Sequence, residues 1–370
     1  MNMRKGFFFA FLFAALLSGC SKTGNEIRIG AVLPLTGGAA QWGVPARNGV
    51  MLAVDQINAA GGINGRKIAL NLQDDQCDPT KGVSAVQNLI STDKPVAIVG
   101  AVCSSVSLAI APILEKNRII MISPASTSPL LSNAGNYIFR DIPTDKLRAD
   151  VFAKYIIDQG VKDLSILYIN NDGGVGATDA FIQAYQKLGG TVRFKDAYQQ
   201  GQTEYLSEVT KAKRASPEAI MIVSYPSDTS ILLRELRQLN FRGKIFALTE
   251  ALDDPAIVKA AGNAANGVVY IVPAPAEGQQ TTEFADQYKA KYGSAPPLYA
   301  AEAFDAMYLL KKVCSEVPSL DPAQLADSLH AIRGYQGASG SITFQKSGDV
   351  IKPMAIKRIV EGEPEIIELK

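Results

Sequence analysis

From Ile27 to Pro275, short apolar runs rich in Val and Ile alternate with longer stretches whose apolar positions recur every three or four residues. The short runs are IRIGAVLPL, KIALNLQDD, PVAIVGAV, RIIMISPA, YIFRDIP, LSILYINND, TVRFKDAY, EAIMIVSY, KIFALTE and GVVYIVPAP, and they predict strands. Between them PARNGVMLAVDQINAAGG, TKGVSAVQNLIST, CSSVSLAIAPILEKN, KLRADVFAKYIIDQG, VGATDAFIQAYQKLGG and TSILLRELRQLN predict helices, several closed by the glycine that a left-handed C-cap prefers. Strand and helix in alternation is the pattern of βαβ units and parallel sheets, so the fold class is α/β. At 370 residues the chain exceeds what one core usually supports, and two sheets are expected. Composition alone marks only weak boundaries, at RDIPTDKLR (140–148) and VPAPAEGQQ (272–280). The helix-rich stretch 281–333 is too small for a third core and is expected to pack back onto the first lobe.

The first twenty residues depart from this pattern. Arg4 and Lys5 precede an apolar run from Phe7 to Leu17, shorter than the roughly 20 residues a spanning helix needs, and the whole reads as an export signal. It ends in LSGC, which resembles the lipobox of bacterial lipoproteins and makes Cys20 the expected lipidation site. Residues 21–26 then read as a polar tether, so membrane attachment is expected through the lipid anchor only. Lys plus Arg number 37 against 36 Asp plus Glu, and a net charge of +1 argues against nucleic acid as a partner.

Export changes how the remaining cysteines read. In an oxidising compartment Cys77 and Cys103 can pair, closing a loop worth about 3 to 4 kcal/mol in the chain-entropy picture. Cys314 lies in an amphipathic helical pattern and reads as a buried thiol. Without a C-x-x-C, neither a zinc ribbon nor a redox motif is supported. The adjacent Asp74 and Asp75 read as a strand end and the lone His330 as structural; no metal, cofactor or catalytic residue is expected.

Candidate chemistry lies where strands end, because ligands of open α/β sheets bind beyond the carboxyl ends of the strands. PVAIVGAV runs into Cys103, Ser104 and Ser105 at a helix start, where free N–H groups and the helix dipole favour an anion, although a serine there also serves as a plain N-cap. The next strand runs into Ala125, Ser126 and Thr127, whose backbone donors stand between Pro124 and Pro129. Two consecutive strand ends thus offer donors suited to one small carboxylate.

GAVLPLTGGAAQWG, AVDQINAAGGINGRKI, DDQCDP, GAVCSSVS, MISPASTSP and SYPSDT together resemble the leucine/isoleucine/valine-binding family of type I periplasmic receptors of ABC importers. The resemblance implies two doubly wound parallel-sheet lobes joined by a multi-crossing hinge, with 27–144 plus 275–352 in lobe 1 and 145–274 plus 353–370 in lobe 2, AIKRIVEG being the last strand. It implies a Cys77–Cys103 disulfide. It also implies that Ser104 and the N–H groups of Ala125 and Thr127 hold a ligand carboxylate, and that the Thr127 hydroxyl, the Ala125 carbonyl and Glu250 take its ammonium. Tyr225 would close over the ligand, and Trp42, in the GGAAQWG loop, would wall the side-chain pocket. Val175 stands where the family has a second-lobe tyrosine, a departure that bears on ligand identity; neighbouring Asp172 is expected to cap the helix that follows. The implied function is capture of a small amino acid, branched-chain or related aliphatic, for permease subunits of an importer. A sensory receptor, or a binder of amides, aromatic acids or other small carboxylates, would use the same cleft.

A dinucleotide enzyme is disfavoured because DGGVGATD lacks the last glycine of G-x-G-x-x-G. Serine hydrolysis is disfavoured because no G-x-S-x-G surrounds Ser104.

Overall fold

The computed structural model describes residues 26–370, so the expected export signal, its Cys20 and the tether as far as Asn25 lie outside the described residues. In chain order the elements are β1 (Glu26–Leu33), α1 (Ala40–Ala59), β2 (Lys67–Asp74), α2 (Pro79–Thr92), β3 (Ala97–Gly100), α3 (Ser104–Asn117), β4 (Ile120–Ser123) and β5 (Ile138–Arg140). Then come α4 (Asp145–Asp158), β6 (Asp163–Ile169), α5 (Asp172–Lys187), β7 (Thr191–Tyr198), α6 (Leu206–Arg214), β8 (Ala219–Val223), α7 (Pro226–Gln238), β9 (Lys244–Ala247), α8 (Pro255–Ala261) and β10 (Val269–Pro273). The last part comprises α9 (Gln279–Tyr292), α10 (Ala300–Glu316), α11 (Pro322–His330), β11 (Tyr335–Gly337), β12 (Gly340–Ile342), β13 (Met354–Val360) and β14 (Glu363–Leu369).

Two α/β layers result. One sheet runs β2-β1-β3-β4-β5 and is parallel throughout. The other runs β14-β13-β10-β9-β8-β6-β7. Its β6 to β10 are parallel, whereas β13 is antiparallel to β10 and β14 to β13. AIKRIVEG is therefore not the last strand. Glu361 and Gly362 both take positive φ, 50° and 85°, as a two-residue hairpin turn requires, and PEIIEL returns beside it. The chain passes between the sheets after β5, after β10 and before β13, while α10 packs along α1 on the first sheet.

Strand composition explains the layering. β3, β4 and β8 are buried at every position, as strands covered on both faces must be. Where α1 crosses α10, a Cβ on Gly49 would lie 2.1 Å from the Ala300 carbonyl oxygen, so only glycine permits this approach. It brings Tyr299, at the head of α10, next to Trp42, with ring centroids 5.8 Å apart. Trp42 is not in a loop: α1 begins at Ala40, two residues before it, and the indole is buried. Pro45, which reads as a first-turn residue, lies inside the helix.

Candidate ligand-binding cleft

The carboxyl ends of the two sheets meet at a cavity of about 40 Å³, a few times the space one water needs. It has room for one small solute and none for a dinucleotide. Of the residues singled out in the sequence, Ser104, Ala125, Thr127, Tyr225, Glu250 and Trp42 line it. Val175 does not: Gly173, Gly174 and Ala177 form the cavity-facing side of α5, and Val175, one further step of helical rotation round, is 37% exposed outside it. Asp172 does not cap α5 either. Asn171 does, its Oδ1 accepting from the Gly174 N–H at 2.8 Å, with Asp172 as the first helical residue.

The first wall is built from the ends of β3 and β4. Cys103 is the N-cap residue of α3 and is bonded to Cys77, so Ser104, the first residue of the helix, follows directly on a covalent tie to the β2–α2 loop. Most hydroxyls of MISPASTSP fold the loop itself. Ser123 Oγ donates to the Ala101 carbonyl at 2.6 Å and accepts from the Ser126 N–H at 2.9 Å, and Ser126 Oγ lies 2.7 Å from Ser107 Oγ. This knitting holds Ala125 and Thr127 opposite Ser104, whose Oγ accepts from the Ser128 N–H at 3.2 Å.

Thr127 is chemically one-sided. Its hydroxyl donates to Asp145 Oδ2 at 2.8 Å, and since a hydroxyl has a single proton, only its lone pairs remain for another partner. Thr127 Oγ1 can thus receive an ammonium and cannot donate to a carboxylate. Asp145 itself begins α4, its N–H donating to the Thr127 carbonyl at 2.8 Å.

Three residues at this end, Asp145, Arg148 and Tyr299, carry no motif, and two of them are charged. Asp145 and Arg148, three apart on α4, pair at 3.0 Å, and Arg148 Nη1 lies 2.7 Å from Glu250 Oε1. All three side chains are buried. Burial pushes the Glu250 and Asp145 carboxyls above the usual range, with Arg148 opposing it; burial also works against the Arg148 charge, yet Glu250 and Asp145 outweigh it and hold that pKa up. The Arg148–Glu250 contact lacks hydrogen-bond geometry, and Glu250 Oε1 has no hydrogen-bond donor among the described residues. The remaining wall is aromatic and aliphatic: Tyr225 meets Trp42 edge-on at 4.9 Å, beside Tyr299, Val102, Val223 and Leu248. A Cβ on Gly173 would lie 2.9 Å from Tyr225 Oη, too close unless the phenol shifts, and 3.5 Å from Ser104 Cβ, an ordinary contact.

Asp74 sets the loop that delivers Trp42. Its carboxylate accepts from the Leu35 N–H at 2.8 Å and from the Thr36 hydroxyl at 2.6 Å, which fixes the turn between β1 and α1. A paired-aspartate strand end therefore positions one wall of the cleft.

Comparison with known proteins agrees with this architecture. The periplasmic binding protein family profile matches residues 26–364. The chain is 28% identical over 346 residues to the leucine-, isoleucine-, valine-, threonine- and alanine-binding protein of Pseudomonas aeruginosa, covering 92% of each. It superposes on a leucine-binding protein from Thermotoga maritima with a TM-score of 0.86 and 29% identity, covering 93% of this chain and 98% of that one. A solute-binding protein from R. palustris in complex with benzoate has a TM-score of 0.84 at 18% identity, covering 93% of this chain and 96% of that one; at that identity the likeness is one of fold.

Proposed function

Because the chain belongs to the periplasmic binding protein family, we propose that it is the extracytoplasmic receptor of an ABC importer, capturing a small amino acid, branched-chain or related aliphatic, and presenting it to permease subunits. The ligand carboxylate lies at the start of α3, held by Ser104 and the N–H groups of Ala125 and Thr127. Its ammonium is received by Thr127 Oγ1, the Ala125 carbonyl and Glu250, and its side chain lies against Trp42, Tyr225 and Tyr299. Lobe 1 comprises 27–144 and 275–352, lobe 2 comprises 145–274 and 353–370, and closure of one on the other buries the ligand. The protein is a carrier rather than a catalyst. It is lipid-anchored at Cys20, and no helix among the described residues is long and apolar enough to cross a membrane.

The observation that carries this reading is the polarity of the cleft among the described residues: helix N–H groups without a side-chain cap at one end, and at the other a hydroxyl already committed as donor beside a carboxylate oxygen lacking one. An aromatic acid without an amino group would leave Thr127 Oγ1 and Glu250 Oε1 unmatched, at a cost of about 1–3 kcal/mol for each buried group.

Calorimetric titration with L-leucine, L-isoleucine, L-valine, L-alanine and benzoate tests it. At least one amino acid is expected to bind and benzoate to fail. Ser104→Ala and Glu250→Ala are each expected to weaken binding by about tenfold or more while the protein stays folded. Unchanged affinity in both variants, or preferential binding of benzoate, would overturn the assignment.

A further inference from the structure

An ammonium needs one carboxylate, and this cleft places two around a cation. Arg148 is 3% exposed; its Nη1 touches both Asp145 Oδ1 and Glu250 Oε1, and Nη2 donates to the Ile271 carbonyl at 3.4 Å. Two carboxylates and one guanidinium sum to −1. Without the guanidinium the same enclosed space would hold −2, or would take up protons, because like charges in a site of low polarisability cannot both remain ionised at little cost. The surrounding titratable groups leave that sum unchanged. Arg140 faces Asp145 but is paired with Asp349 at 2.6 Å; Tyr225 and Tyr299 are neutral; Glu302 faces Glu250 from the side of Lys352.

Resting on the amino-acid reading above, we propose that Arg148 is a specificity-determining and positioning residue that fixes the ammonium end of the cleft at a single negative charge. It keeps both carboxylates ionised and spaces Glu250 from Asp145, so the cleft accepts one positive charge there without exchanging a proton. Affinity for a zwitterion then stays flat across neutral pH. A ligand lacking the amino group would leave that negative charge buried and unmatched.

The test is a charge-restoration series in the mature protein. L-Leucine and L-alanine are titrated calorimetrically at pH 6, 7 and 8 into wild type, Arg148→Met, and Arg148→Met combined with Asp145→Asn, which returns the sum to −1 with Glu250 as the remaining anion. Wild-type affinity is expected to vary less than threefold over this range. Arg148→Met is expected to lose at least tenfold and to become pH-dependent, and the double variant to recover most of the loss and the flat profile. If Arg148→Met binds as wild type does, or if the double variant recovers nothing, the arginine acts through shape or through its bond to Ile271 and the proposal fails. Thermal melts of the same three proteins without ligand give a second readout. Arg148→Met should lose more stability than wild type or the double variant as pH rises from 6 to 8, since it alone buries two carboxyls side by side with no cation between them; absence of that difference also overturns the proposal. Failure of wild type to bind either amino acid would instead strike the reading of the cleft, while the melts still report whether Arg148 holds the charge.

Discussion

Single residues show how much of this protein's chemistry depends on whether a hydrogen-bonding group is already taken. Thr127 can only accept because Asp145 holds its proton, and Glu250 offers an oxygen that Arg148 neutralises without donating to it in line. Asp75 shows the same logic away from the cleft. It is fully buried, its Oδ1 accepts from the Cys77 N–H at 2.7 Å, and its Oδ2 has no partner among the described residues. Burial raises its pKa from 3.8 to about 7, with Asp74 and Asp78 adding and the Cys77 N–H opposing. A carboxyl with a raised folded-state pKa stabilises the fold in its protonated form, fully below the unfolded value of about 3.9, and this contribution is lost as pH climbs toward 7. Asp75→Asn, which keeps the acceptor, is therefore expected to raise the melting temperature at pH 8.5 and to raise it much less at pH 5. Melting curves displaced equally at both pH values would contradict this. Much of the candidate site was legible at this scale: Ser104, Ala125 and Thr127 stand at strand ends whose chemistry points to a ligand, while Tyr225, Glu250 and Trp42 were implied by the family resemblance. Arg148 was not, because its role depends on Glu250, a hundred positions away, and its own neighbourhood reads as the polar start of an ordinary helix.

At the scale of elements, strands buried on both faces, such as β3, β4 and β8, announce themselves as unbroken apolar runs, and all ten strands expected from the sequence between Ile27 and Pro275 formed, the half-exposed β2 and β7 included. The misreadings cluster where an element is amphipathic, short or defined by a cap. β14 intersperses three glutamates and a proline among its apolar residues and is largely exposed, so nothing in its composition marks it until the Glu361–Gly362 turn folds it back. The start of α1 was hidden by Pro45, which forms no helical donor and so looks like a beginning. The first turn of α5 was displaced because Asn171, not Asp172, supplies the cap. That turn matters for closure, since Gly173 stands between Tyr225 Oη and Ser104 Cβ. Gly173→Ala leaves a favourable helical residue in place of glycine, so the fold should be retained or slightly strengthened. The added methyl would nevertheless displace the Tyr225 phenol from its place over the cleft, and binding of L-leucine is expected to weaken by about tenfold, or ~1.4 kcal/mol. Calorimetry on the folded variant checks it; wild-type affinity would mean the cleft closes without this contact.

For the whole molecule, the decisive region is where the chain crosses between the sheets. Asp141 leaves the first sheet just after β5, and Lys352 precedes β13 of the second. Lys352 Nζ lies 2.7 Å from Asp141 Oδ1 and donates to the Asp141 carbonyl at 2.9 Å and to Ser339 Oγ at 2.7 Å, with Asp305 and Glu302 buried nearby. Burial raises Asp141 to about 7, Lys352 opposing and Asp305 and Glu302 adding. Lys352→Met would leave three buried carboxyls without their cation and is expected to destabilise the protein by about 3–5 kcal/mol at pH 8. The cost should be smaller at pH 5.5, where the acids can hold protons. Urea unfolding at both pH values measures it, and equal small losses would show that the cluster is solvated in solution. The two-sheet α/β architecture was readable from alternation and length, whereas composition marked the first two crossings only weakly and the third came from the family resemblance, because the groups that secure them are polar, few and far apart in the chain. The outermost strand has a different bearing on the molecule. β14 ends its sheet with Ile366, Ile367 and Leu369 partly uncovered, yet Glu363, Glu365 and Glu368 share the same seven residues. Two copies meeting along this border would set six carboxylates against each other, a repulsion that discourages fibre-like stacking and keeps the protein dispersed.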